Sequence, residues 1–388
     1  MRIYLDHNAT SPVHPEVAAL VARLLIDEPG NPSSVHTFGQ RAKAVLDDAR
    51  SRVAALIDAE PGDVVFTAGG TEADNLAIRG AAEALAPTGR RHLVASAIEH
   101  EAVLATMKAL ERRGWRVSLV RTDASGIVDP DAIAAVVDDE TALVSVMYAN
   151  NEIGTIQPVR AIADIAHARG ALFHTDAVQA AGKIPVSVRD LGVDLLAIAG
   201  HKFNGPKGTG ALWIRRGVRL VATETGGRQE RNRRAGTENV PALAGFGLAA
   251  EIARTKMAEM APKLAALRDR LEAGILASVP DTAVNGAVDQ RVPNTTNISF
   301  EGIEAESLLI ALDLEGVAVS TGSACSSGTL EPSHVIQAMG LPHHRGTSSI
   351  RFSLGLGTTE AEVDFVIAAL PALVDKLRAL TARPRGGR

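Results

Sequence analysis

Between Asp63 and about residue 215, short runs of Val, Ile and Leu alternate with segments of helical periodicity, and this alternation most restricts what the chain can fold into. The runs are DVVFTA, HLVASAI, WRVSLV, TALVSVMY, ALFHTDA, VDLLAIA and GALWI. Several are apolar throughout instead of alternating, as strands covered by helices on both faces should be. Amphipathic stretches begin between them at Glu72, Glu101, Pro130 and Val159. The pattern predicts a large, doubly wound α/β domain around a mostly parallel seven-stranded sheet.

Two helical patterns precede this region, Pro15 to Asp27 and Ser33 to Ile57, the second opening on an Asn-Pro-Ser-Ser cap. After residue 240 an Ala- and Leu-rich helical stretch runs to about Ala277. The remainder alternates strands (TNISF, VAVST, SSIRFSL) with helices (SLLIALDL, SHVIQAMG, EAEVDFVIAALPALVDKLRAL), a smaller α+β unit. The expected division is a large domain over 15–255 and a small one made of 1–14 with 256–388, the boundary falling in the long helix. The tail RPRGGR reads as a solvated, frayed end.

Composition narrows the function classes. With 46% hydrophobic residues in 388, a packed core is expected and bulk disorder is excluded. The 40 basic against 45 acidic residues leave a net charge of −5, which offers no electrostatic case for nucleic-acid or anionic-membrane binding. Only 3% of residues are aromatic, too few for base-stacking platforms. The longest uncharged run, Gly316 to Leu330, is 15 residues rich in Ser, Thr and Gly, too short and too polar to span a bilayer. The start, MRIYLDHNAT, lacks the basic-then-apolar order of a signal peptide. A single cysteine cannot form an internal disulfide, so a reducing, cytoplasmic setting is expected. No cysteine pair and no H-E-x-x-H pattern occurs, so no metal site is expected.

In a sheet of this kind ligands bind beyond the carboxyl ends of the strands. Four loops there carry chemistry. At Thr67-Ala68-Gly69-Gly70-Thr71-Glu72 a strand gives way to a helix through two glycines, so backbone N–H groups and the helix dipole could hold an anion; the same residues also suit a plain turn with a capping Thr71. In FHTDAVQAAGK, Asp176 ends a strand and Gln179 follows one turn later; the carboxylate could pair with a protonated ring nitrogen or cap the next helix. In DLLAIAGHKFNGPKGTGALWI a buried strand delivers His201 and Lys202 into a Gly- and Pro-rich loop. A desolvated lysine of lowered pKa is what a Schiff base requires, while a lysine that snorkels to solvent is the alternative. In STGSACSSGTLEPSH, Cys325 lies in a small-residue loop after a strand; inert packing is the default for a free cysteine, while the Ser, Ala and Gly neighbours argue for exposure, one of the two conditions for thiolate reactivity. His100, in AIEHEAVL, could stack on a flat cofactor or shuttle protons, or be a structural histidine, and Arg351, mid-strand in SSIRFSLG, calls for a carboxylate partner.

Asp176, the Gly200, His201 and Lys202 segment, and the turn at Thr71 together resemble the pyridoxal-phosphate enzymes of fold type I. More narrowly, LDHNATSP, GNPSSVHTFG, GGTEADNLAI, NNEIGTIQP, FHTDAVQAAGK, GHKFNGPKGTGAL, GGRQERNRRAGTEN, STGSACSSGTLEPSHV and SSIRFSLG resemble the successive signatures of cysteine desulfurases of the NifS/IscS group, in order from residue 5 to about 357.

The resemblance implies pyridoxal 5'-phosphate as cofactor and conversion of L-cysteine to L-alanine with a persulfide on Cys325. Lys202 would carry the cofactor and move protons, and His100 would stack on its ring. Asp176 would hold the ring nitrogen protonated, and Gln179 would bond the phenolate oxygen. Gly70, Thr71 and His201 would take the phosphate, and Asn151 and Arg351 the substrate carboxylate. The resemblance further implies a homodimer in which Thr237 reaches the other subunit's phosphate. It also implies a sulfur acceptor such as an iron–sulfur scaffold, and the SSGTLEPSH loop is similar to that of the group that includes nitrogen-fixation enzymes. The cluster Arg228, Arg231, Arg233 and Arg234 would belong to a dimer interface or a substrate mouth. Three positions depart from the pattern: Ala199 replaces a common phosphate-binding serine, Arg228 a frequent histidine, and His7 a smaller or neutral residue. The competing readings are a selenocysteine lyase or related amino-acid lyase with the same cofactor, and a sulfur-scaffold protein without one.

Overall fold

The computed structural model describes residues 2–321 and 333–381. Seven strands form the principal sheet, in the spatial order Val64–Thr67, Gly210–Ile214, Leu195–Ala199, Leu172–Asp176, Thr141–Ser145, His92–Ser96 and Arg116–Val120. Six run parallel, and Gly210–Ile214 is antiparallel to both of its neighbours. All seven coincide with the apolar runs of the sequence.

The sheet is a middle layer, and its two faces sort the side chains by parity. Leu195 and Ala197 pack with Leu76, Ala77 and Met107 on one face, while Leu196 and Ile198 pack with Ile162, Leu243 and Phe246 on the other. Burial on both faces is why these strands carry no polar alternation. The edge strand Arg116–Val120 is the exception, since one side meets solvent; there Arg116 pairs with Asp138 at 2.6 Å.

Helices Gly70–Leu85 and Glu101–Glu111 cover the first face, and Thr37–Leu56, Val159–Ala168 and the start of Val240–Ser278 cover the second. The second N-terminal helix begins later than the Asn-Pro-Ser-Ser cap implied. Asn31 closes a turn instead, its Oδ1 accepting from Ser33 N–H and its carbonyl from Ser34 N–H, each at 2.9 Å. The helix then starts at Thr37, capped by the His36 ring, which accepts from Gly39 N–H.

A second core gathers Leu264, Leu271 and Ile275 from the long helix with Phe300, Leu308, Phe352 and Val366. It surrounds a three-stranded antiparallel sheet ordered Ser349–Ser353, Thr295–Phe300, Thr282–Asn285. Ile3 and Leu5 belong to this core, because strand Ile3–Tyr4 pairs in parallel with Val317–Ala318. Helix Val240–Ser278 therefore feeds both cores, the first through Leu243, Phe246 and Ala249 and the second through its later turns.

Candidate active site

The carboxyl ends of the parallel strands open on a cavity of about 390 Å³. Its lining includes Gly70, Thr71, His100, Asn151, Asp176, Gln179, His201, Lys202 and Arg351. These are all the candidate residues of the sequence except Thr237 and Cys325. Thr237 is exposed outside the cavity, and Cys325 lies outside the described residues.

Lys202 sits on a single 3-10 turn, Gly200–Lys202, directly after strand Leu195–Ala199. Gly200 is required because a Cβ there would stand 2.5 Å from Thr209 Oγ1. Lys202 Nζ donates to the carbonyls of Asn8 at 2.6 Å and Ala9 at 2.9 Å. Burial, reinforced by the Arg351 guanidinium, lowers its amine to about 8. His201 beside it is lowered to about 4, by burial first and then by the neighbouring lysines, so its ring is neutral.

Across the cavity, Gly70 and Thr71 begin helix Gly70–Leu85, where the first N–H groups have no intrahelical acceptor. A Cβ on Gly70 would lie 2.8 Å from Val178 Cγ2, so only glycine lets this turn settle on the neighbouring segment. The negative charge of Glu72 in the same turn is neutralised, for its carboxylate takes Arg234 Nε at 2.8 Å and Ala68 N–H at 2.9 Å.

Asp176 ends its strand buried, with Oδ1 accepting from Val178 N–H at 2.8 Å. It thus caps the following turn and faces the cavity at once. Burial raises its carboxyl, against the opposing pull of His100 and Lys202. A carboxyl so placed gains from a cationic N–H partner. His100 is exposed at the cavity, and its Nδ1 accepts from Ala102 N–H at 3.1 Å, which fixes the ring at the start of helix Glu101–Glu111.

Arg351, in strand Ser349–Ser353, donates to Asp6 Oδ1 at 2.6 Å and to the Asn151 carbonyl at 3.0 Å. Its Nε is buried without an acceptor among the described residues. Ser320, which also lines the cavity, exchanges backbone hydrogen bonds with Arg351. On the far side of the undescribed interval 322–332, Ser333 Oγ donates to buried Glu152 at 2.5 Å, and the His334 ring meets the Glu99 carbonyl at 3.0 Å. Cys325 itself lies outside the described residues, between Ser320 in the cavity lining and Ser333 on Glu152.

Asn8, Lys183, Asp74, His174 and Glu99 are buried around the site and were not singled out from sequence. Asn8 has its side chain and main chain bonded to Ser353, Thr295, Asn294, Asn151, Gln179, Lys183 and Lys202. Lys183 lies beside Gln179. Asp74 Oδ1 and His174 Nε2 stand 3.4 Å apart without a hydrogen bond. Burial raises the Asp74 carboxyl well above its usual range, with the Asp176 and Glu99 charges acting in the same direction, and burial lowers His174 to about 3. The signal available in the sequence was a polar residue on an otherwise apolar helix face, as with Asp74 in EADNLAI.

Glu99, next to His100, is fully buried, bonded to the Ser96 hydroxyl and at 2.8 Å to Met147 N–H. Burial pushes its carboxyl up to about 8 from 4.5. A folded-state pKa above the unfolded one gives stability that is complete below pH 4.5 and disappears as pH rises through 8. Glu99→Gln keeps the acceptor and removes the titration. It is expected to match the parent near pH 4.5 and to exceed it by about 4 kcal/mol near pH 8 in chemical denaturation. An equal difference at both pH values would contradict the buried neutral carboxyl.

Among the described residues no helix is long and apolar enough to cross a membrane, and no cluster of metal-ligating side chains occurs. The arginine cluster is partly engaged within the chain: Arg231 donates to the Val64 carbonyl at 2.6 Å and Arg234 pairs with Glu72.

Residues 3–366 match the aminotransferase class-V family. A cysteine desulfurase of Trichormus azollae is 50% identical over 98% of this chain and 94% of its own. A cysteine desulfurase IscS of Methanosarcina thermophila is 47% identical over 97% and 93%. Among solved structures, a NifS-like protein superposes with a TM-score of 0.89 at 36% identity, covering 98% of this chain and 99% of its own. The structure of SspA in complex with cysteine gives 0.81 at 32%, covering 91% and 99%. The architecture is accordingly the type I fold that the motifs implied, and the chain belongs to the class-V aminotransferase family, among the cysteine desulfurases of the NifS/IscS group.

Proposed function

We propose that this chain binds pyridoxal 5'-phosphate through Lys202 and converts L-cysteine to L-alanine, leaving the sulfur as a persulfide on Cys325. The observation that carries the reading is the convergence of Lys202, Asp176, His100, the Gly70–Thr71 helix start and Arg351, from five separate segments, on one cavity. The residues suit the cofactor: the helix start at Gly70 and Thr71, whose first N–H groups have no intrahelical acceptor, faces the cavity as a phosphate would need, and the raised carboxyl of Asp176 is matched to a ring N–H. When bound, the cofactor supplies an electron-accepting ring that stabilises charge at the substrate Cα.

The protein's part is positional. Arg351 and Asn151 orient the substrate carboxylate, and Asp6 keeps the guanidinium pointed between its turns at work. The half-neutral amine of Lys202 near pH 8 can both attack and carry a proton. His100, held by the Ala102 N–H, presents a fixed ring face. The Cys325 thiolate attacks the substrate sulfur; the sulfur–carbon bond breaks, its electron pair stays with the three-carbon product, and protonation there yields alanine.

The same reading includes a homodimer, supported by the placement of Thr237 on the surface away from its own cavity. It includes a cytoplasmic location, supported by the single cysteine, and an acceptor such as an iron–sulfur scaffold, with nitrogen fixation as one setting, supported by the SSGTLEPSH loop. The proposed domain division, 15–255 against 1–14 with 256–388, is supported by the two cores that share helix Val240–Ser278.

The test is a single turnover of cofactor-loaded protein with L-cysteine. Alanine and protein persulfide should form in equal amounts, the latter trapped by alkylation and located by mass spectrometry. A protein that takes up no cofactor, or releases no alanine, would refute the proposal.

A further inference from the structure

Lys183 is a buried lysine beside the site, and none of the roles above uses it. It follows Gln179 by four residues, along a turn in which Ala181 N–H bonds to the Ala177 carbonyl and Lys183 N–H to that of Ala180, so the two side chains share a face. Lys183 Nζ donates to Gln179 Oε1 at 2.6 Å and to Asn8 Oδ1 at 2.8 Å. Gln179 Nε2 donates to the Asn8 main-chain carbonyl at 2.9 Å.

A glutamine amide has two ends of nearly equal size and opposite hydrogen-bonding sense, and its orientation is set by the partners it meets. Here an amine that donates stands at one end and a carbonyl that only accepts stands at the other. One orientation satisfies both, with oxygen toward Lys183 and nitrogen toward Asn8. Nε2 still carries a second N–H, and Gln179 lines the cavity. We propose that Lys183 is a positioning residue that locks the Gln179 amide so that nitrogen, never oxygen, faces the ring oxygen of a cofactor held on Lys202.

The inference rests on the pyridoxal-phosphate reading above. An N–H in that place stabilises the ionised ring oxygen, whereas an amide oxygen would repel it. Holding an amine in this position is costly: burial lowers it well below the usual lysine range, and the Lys202 and Arg351 charges act in the same direction. An apolar side chain would fill the space at less cost, so the demand is for a donor.

The experiment is a double-mutant cycle on cofactor-loaded protein, reading the pH at which the visible absorbance titrates. Asp74, His100, Asp176, His201, Lys202 and Arg351 also face the cavity, His7 lies within electrostatic reach of Lys183, and all are common to every member of the cycle. Lys183→Met and Gln179→Met should each raise the apparent pKa of the visible band by about one unit, and the double variant should go no further than Gln179→Met alone. Additive shifts would mean that Lys183 acts by its own charge, and an unshifted Lys183→Met would mean that it does not act on the ring oxygen; either overturns the proposal. If methionine at 183 does not fold, Lys183→Ala carries the same cycle with the same criteria. A parent protein with no visible band would instead refute the cofactor reading, and this inference with it.

Discussion

Cys325→Ala takes up pyridoxal phosphate and L-cysteine as the parent does, and then stops. Persulfide falls to nothing, and alanine release drops by roughly 10³-fold or more, the scale of removing a nucleophile whose attack no neighbour can perform. The chain has one cysteine, so no second thiol can substitute. The dissociation constant for cysteine changes little, because Arg351 and Asn151, the proposed holders of the substrate carboxylate, are left in place. The informative pair of measurements is the spectral change on adding cysteine and the persulfide trapped by alkylation. Undiminished sulfide and alanine turnover in this variant would show that the sulfur leaves by another route.

Lys202→Ala produces the other large loss, roughly 10⁴-fold or more in turnover, with a cofactor that is removed by simple dialysis. The lysine also makes a quantitative statement about pH. Its amine is lowered to about 8, whereas an ordinary lysine titrates near ~10.4. Only the neutral amine attacks a carbonyl. Covalent loading of apoprotein should therefore accelerate about tenfold per pH unit below 8 and level off above it. A rate still climbing at the ordinary lysine value would place this amine in water, not in the cavity. Simple amines added to Lys202→Ala should restore part of the turnover, which a misfolded variant could not do.

Most of the large sheet was legible because burial on both faces turns each strand into a continuous apolar run. The strand Thr282–Asn285 was not, for it has four residues between Asp281 at φ 55° and Gly286 at φ 98°, and so reads locally as a turn. Strand Ile3–Tyr4 is two residues long, and its partner lies at the other end of the chain. The late start of helix Thr37–Leu56 reflects the same limit: Asn31 has both a cap and a turn available to it, and the tertiary setting selects the turn.

The candidate site divides similarly. Lys202 and Asp176 stand out as charges at the ends of apolar strands, where only a ligand or a partner justifies them. Asn8, Glu99 and Lys183 carry no such mark, because their meaning comes from remote contacts. Asn8 is understood only with residues 151, 183, 294, 295 and 353 in place around it.

Asn8 also bears on how the protein is made. Its main-chain N–H bonds to Ser353 Oγ, a partner 345 residues away, and the adjoining strand waits for Val317–Ala318. At ~5–20 residues per second, a ribosome needs roughly 20–70 s to span that gap, so the opening segment emerges long before its seat exists. Until then the carbonyls that receive the Lys202 amine adjoin a strand without its partner, and a nascent or prematurely terminated chain has its seven-stranded sheet above an unfinished floor.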